Sequence, residues 1–148
     1  MGKLLYLVIH CTATPAGREV SADEIRRWHT APRPRGRGWK QVGYTDMIHL
    51  DGRVERLVGN NEDDNVDPWE VTNGATGYNG ISRHIVYVGG GGGSDTRTPA
   101  QRQAMADYVR AFHTKHPEVK IIGHAEVSHK KCPSFNVGQW LTSIGIKQ

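Results

Sequence analysis

Little in this sequence could staple it or anchor it. Only two of its 148 residues are cysteines, Cys11 and Cys132. A disulfide-built scaffold is therefore excluded, and at most one bridge can form. No apolar run approaches the roughly 20 residues that cross a bilayer as a helix. The run Leu4–Ile9 is also too short for a secretory apolar segment with its cleavage site. Synthesis in the cytoplasm without a signal peptide is the expectation, with no membrane partner. Internal repeats are absent, which excludes solenoids and propellers. Charge is nearly balanced, with 19 Lys+Arg against 15 Asp+Glu and a net +4. Such a mild basic excess suits anionic partners such as nucleic acid or cell-wall polymers. However, the chain has no basic helix and no aromatics interleaved with basic residues, so no nucleic-acid partner is expected.

What is present suffices for one domain spanning 1–148. Apolar residues make up 36% of the chain, and 18 glycines mark many turns. Leu4–Ile9 reads as a strand covered on both faces, with His10 at its C-terminal end. His10 and Cys11 are consecutive, so on an extended backbone they point to opposite faces. Ser21 and Glu24 form a capping box that opens a short helix bearing Ile25, Trp28 and His29 on one face. Arg33–Arg37 is a basic loop, either a solvated turn or an anion contact. Asp51-Gly52 separates two strand-like runs and predicts a type I′ hairpin. The acidic stretch 60–67 lacks calcium-loop spacing and reads as a solvated loop. His84–Val88 is a second buried strand, and the glycines 89–93 that follow read as a flexible surface loop. Thr98, Pro99 and Gln101 open a long helix with Met105, Tyr108, Val109 and Phe112 inward. A short strand around Val119–Ile122 then delivers His124, and Asn136 caps a last helix that ends at Gly145. Strands separated by helices, plus one hairpin, predict an α/β domain with a central mixed sheet flanked by helices.

The stretch from Gly123 to Phe135 carries the chemistry. It holds His124, His129, Lys130, Lys131 and Cys132 with no apolar period, so it is a surface loop. Imidazole nitrogen and thiolate sulfur are the ligands tetrahedral zinc prefers. His124 and Cys132 are too far apart for one helical turn, but a loop can fold both onto one point. His10 is the best third ligand and His129 its rival, while a Cys11–Cys132 bridge is the alternative use of the thiols. Three ligands leave one position for water, and zinc lowers the pKa of such a water to about 7. The other histidines lie on helices or in strands and read as packing residues.

A set of pieces runs in order from near residue 5 to residue 141. They are His10-Cys11-Thr12-Ala13-Thr14, Glu24–His29, Gly43-Tyr44, Asp51-Gly52, Gly77-Tyr78-Asn79, Val88-Gly89-Gly90, Thr98–Gln101 and His124–Phe135. With them the chain resembles the zinc-dependent N-acetylmuramoyl-L-alanine amidases of the phage T7 lysozyme type, which are related in fold to peptidoglycan recognition proteins. The resemblance implies Zn²⁺ held by His10, His124 and Cys132. It also implies Tyr44 and Lys130 as catalytic residues, which spacing alone would not have selected. The implied reaction is hydrolysis of the amide between N-acetylmuramic acid and L-alanine of the stem peptide. A monomer acting on the cell wall after release or delivery is expected. The alternative is a non-catalytic, zinc-containing wall-binding module. Five positions depart from the family pattern. Thr45-Asp46 follow Gly43-Tyr44, Gly74 stands where a histidine is common, and Arg83-His84 follow Ser82 in place of Ile-Gly. All are expected near the substrate groove.

Overall fold

The computed structural model describes residues 2–148. Seven strands and three helices occur in chain order: β1 (Gly2–Lys3), β2 (Tyr6–Cys11), α1 (Ala22–Thr30), β3 (Asp46–Ile48), β4 (Val54–Arg56), β5 (Asn65–Val66), β6 (Ser82–Tyr87), α2 (Pro99–Lys115), β7 (Lys120–Gly123) and α3 (Val137–Ser143). The main sheet has the order β4-β3-β6-β2-β7. β2 lies parallel between β6 and β7, β3 is parallel to β6, and β4 pairs antiparallel with β3. The expected mixed sheet is therefore present.

Side-chain parity divides the sheet into two faces. Leu7, Ile9, Ile85 and Tyr87 pack with Met105 and Val109 of α2 and Trp140 and Leu141 of α3. Met47, Val86 and Val88 pack with Ile25 of α1. With helices on both faces, β2 needs apolar residues throughout, and Leu7, Val8 and Ile9 are fully buried. The caps form as their residues dictate. Ser21 Oγ accepts from the Glu24 amide at 3.1 Å, and Glu24 Oε1 accepts from the Ser21 amide at 3.2 Å. Thr98 Oγ1 accepts from the Gln101 amide at 3.0 Å, and Asn136 Oδ1 accepts from the Gln139 amide at 2.9 Å.

Three local expectations are corrected. The β3–β4 hairpin forms, but its turn is not type I′. That turn needs positive φ at two consecutive residues, and of Asp51 and Gly52 only Gly52 (φ 88°) has it. The chain instead closes a longer loop, with the Gly52 amide donating to His49 O and the His49 amide to Arg53 O, both at 2.9 Å. The acidic stretch contains β5, which pairs with β1 in a two-stranded ribbon. Finally, the glycine run is tied down rather than free: Gly91 N donates to Thr14 O at 2.9 Å, and Gly90 N donates to Thr96 Oγ1 at 2.7 Å.

Candidate metal centre and active site

The parallel strands β2 and β7 both end at one edge of the sheet, where sites of α/β folds collect. His10 is the penultimate residue of β2, and His124 directly follows β7. The loop after His124 doubles back sharply. Gly123 is pressed against that return, since an added Cβ would stand 2.8 Å from Val137 Cγ2 and 2.9 Å from Pro133 Cδ. Ala125 N donates to Cys132 O at 2.7 Å. The buried Tyr87 hydroxyl donates to Pro133 O at 2.6 Å. At the loop's exit the Arg97 guanidinium lies 3.5 Å from the centre of the Phe135 ring. These ties bring Cys132 under the end of β2, where the Cys11 amide donates to its sulfur at 3.0 Å.

The outcome is a cluster in which one ligand atom each from His10, His124 and Cys132 lies within 4.8 Å of the others. Tetrahedral zinc, with bonds of about 2.0–2.1 Å to nitrogen and 2.3 Å to sulfur, sets its ligand atoms roughly 3.3–3.7 Å apart. Two imidazoles and a thiol at this separation fit such an ion with small side-chain rotations. His129 is exposed and stands outside the cluster. The two cysteines are both free thiols. Cys11 points to the other face of β2, as its neighbour's placement requires, and packs in the α2 core.

The cluster opens into a cleft of about 130 Å³ whose walls include Tyr44, Lys130, His29, Arg37, Trp39 and Asn73. Tyr44 lies between two imidazoles, its ring centre 5.1 Å from that of His10 and 5.2 Å from that of His29. Lys130 and Lys131 separate clearly. Lys130 lines the cleft, whereas Lys131 lies across Gly93, its Cδ 2.7 Å from where a Cβ would stand. A larger cavity of about 270 Å³ lies elsewhere, against Arg56, Arg83, Tyr108 and Phe112. It contains none of the cluster residues.

Burial, then His84, His124 and Lys130, hold His10 well below the usual imidazole range. Burial and Lys130 lower His124 as well. Both imidazoles are thus neutral at pH 7 and keep a lone pair to offer. The contact with Cys11 and burial push the Cys132 thiol up, against the Cys11 amide and Lys130, which favour the thiolate. Burial also raises Tyr44, so its hydroxyl keeps its proton at neutral pH.

Two residues of the site were set aside as packing residues in the sequence. His29 is held by burial at about 4. Its Nδ1 accepts from the Gly43 amide at 2.9 Å, which fixes the strand entry carrying Tyr44. His84 Nδ1 lies 2.8 Å from His10 Nε2. Of the five departures from the family pattern, Gly74 and His84 are at the site. Asp46 and Arg83 are not, and their expected place in the groove is corrected. Asp46 lies buried on the α2 face, bonded to Arg56 Nε at 2.7 Å and the Tyr108 hydroxyl at 2.6 Å. Arg83 is buried and donates to the carbonyls of Asp63 and Asn65. Thr45 is buried too, its amide donating to His84 O at 2.7 Å.

The fold is shared with solved amidases and peptidoglycan recognition proteins. The amidase LysC of Clostridium intestinale superposes with a TM-score of 0.76 at 21% identity, covering 99% of this chain and 88% of that one. Drosophila PGRP-LB does so with 0.74 at 22%, covering 97% and 82%. The chain belongs to the N-acetylmuramoyl-L-alanine amidase family, whose pattern matches residues 1–135. Among its relatives, the endolysin of Enterobacteria phage K11 is 34% identical over 137 residues, covering 90% of this chain and 82% of the relative. The endolysin of Escherichia phage T7 is 34% identical over 138 residues, covering 90% and 83%. The chain is accordingly an enzyme that hydrolyses peptidoglycan as an N-acetylmuramoyl-L-alanine amidase.

Proposed function

We propose that His10, His124 and Cys132 hold Zn²⁺, and that Tyr44 and Lys130 assist cleavage of the amide between the lactyl group of N-acetylmuramic acid and L-alanine. The observation that carries this reading is the convergence of three zinc-type donor atoms in a cleft lined by those two side chains. Zinc bound there supplies a Lewis acid and, from water, a nucleophile available at neutral pH. The chain's own groups then do the rest. The Lys130 ammonium, at the cleft wall, faces the carbonyl oxygen as it gains negative charge and stabilises it. Tyr44 keeps its proton on Oη and donates a hydrogen bond that orients the attacking water or the scissile carbonyl. Arg37 and the loop around it offer cationic contacts to the anionic wall polymer. The enzyme acts as a monomer on the cell wall, after release or delivery from the cell that makes it. Among the described residues no helix is long and apolar enough to cross a membrane.

The test is muropeptide release from purified cell walls. Chelator treatment abolishes it and stoichiometric zinc restores it. Cys132→Ala lowers it roughly a thousandfold, the loss expected when metal chemistry worth several kcal/mol disappears. Undiminished cleavage by metal-free Cys132→Ala protein sinks the reading.

A further inference from the structure

The buried pair His10–His84 carries more than packing. β2 and β6 are parallel with Val8 opposite His84 and His10 opposite Val86. Both imidazoles therefore stand on the α1 face as diagonal neighbours. Their rings meet through His10 Nε2 and His84 Nδ1 at 2.8 Å, and both residues are buried to within 1% of full exclusion. His84 does not belong to the ligand cluster. Its other nitrogen, Nε2, is buried and has no partner among the described residues. The ring also occupies space that only glycine leaves open, because a Cβ at Gly74 would overlap His84 Nδ1. The departures at positions 74 and 84 are thus a single feature: the imidazole on β6 needs the glycine facing it.

A bond between two neutral imidazoles requires one N–H and one lone pair. Were His84 the donor, His10 would spend its Nε2 lone pair on that bond and carry its proton on Nδ1. Neither nitrogen of His10 could then hold a metal. With His10 as the donor, Nδ1 stays free. We propose that His84 is the positioning residue of the metal centre, accepting Nε2–H of His10 and so fixing the tautomer that presents Nδ1 to the ion. This rests on the reading that the cluster binds zinc. It adds a partner, contributed by strand β6, that orients a ligand without touching the metal.

The test uses the whole chain and two readouts other than activity. In metal-free wild-type protein, long-range ¹H–¹⁵N spectra of His10 show the proton on Nε2, and zinc then shifts Nδ1 alone. Zinc affinity, from competition with a chromophoric chelator, falls about 10- to 100-fold in His84→Ala. It stays within about threefold of wild type in His84→Asn, whose Oδ1 stands near the position of Nδ1. Melting of the metal-free variants checks that they fold, and the wild-type tautomer needs no substitution at all. A proton on Nδ1 of metal-free His10 overturns the proposal. So does wild-type affinity in His84→Ala, or an equal loss in the Asn and Ala variants when both remain folded. Wild-type protein that takes up no zinc at all refutes the metal reading itself and is told apart by that result.

Discussion

The two faces of the central sheet bury polar groups on opposite terms. On the α2 face, Asp46 and Gln101 are each held by partners within the fold. Asp46 is bound by Arg56 and Tyr108, and Gln101 donates to Val88 O at 2.9 Å. On the α1 face, at the ends of β2 and β7, donor atoms of two imidazoles and a thiol lie within 4.8 Å of one another, with Lys130 at the wall of the same cleft. Imidazole and thiol donors gathered this closely suit a metal rather than the fold, so the contrast separates scaffold from site. Polar burial on one face holds the fold together, while on the other it gathers zinc-type donor atoms beside a cleft.

Substitutions sharpen this contrast. The largest effect after that of Cys132→Ala concerns the two adjacent lysines. Lys130→Ala removes the cation proposed to face the reacting carbonyl and is expected to lower kcat about 10²- to 10³-fold, with zinc content unchanged. Lys131→Ala, at the neighbouring position but over Gly93, leaves turnover within about twofold. Equal losses in the two variants, measured on soluble muropeptides, refute the separation of their roles. On the opposite face, Asp46→Ala leaves the Tyr108 hydroxyl without its acceptor and costs about 2 kcal/mol of folding stability. Denaturant titration of metal-free protein measures that cost. Zinc affinity of the folded variant stays at the wild-type value, and a tenfold change in it breaks the division between the two faces.

How much of this was legible in the chain follows the same division. His124 and Cys132 announced themselves by donor chemistry in a loop with no apolar period, and His10 by its place at the end of an apolar strand. The capping boxes at Ser21 and Thr98 are local, so three or four residues sufficed to read them. Tyr44 and Lys130 could be picked out only through family resemblance, since nothing in their spacing separates them from other tyrosines or from Lys131. His29 and His84 were not legible, because a histidine on a helix or in a strand looks like packing. What makes His84 a neighbour of His10 is the register of β2 on β6, a pairing across 74 positions. The family pattern placed Gly74 near the groove, but did not show that the imidazole of His84 needs the space its missing Cβ leaves. The two-residue strands β1 and β5 carry too little pattern to be seen, and the hairpin turn took a longer closure around the single positive φ of Gly52.

A pH titration probes the α1 face as well. His29 is held at about 4 and His84 at about 3, both chiefly by burial. In the unfolded chain both return to about 6.5. As pH falls below 6.5 the unfolded chain takes up protons that the folded chain refuses, so stability declines, and it continues to decline until the folded values are reached. Above 6.5 neither histidine contributes a slope. By pH 5 each has removed up to about 2 kcal/mol, near 1.4 kcal/mol per pH unit. Denaturant titration of metal-free protein at pH 7 and pH 5 therefore shows a drop, and His84→Asn loses roughly half of it. A change below about 1 kcal/mol across that interval means that these imidazoles are not held neutral by the fold.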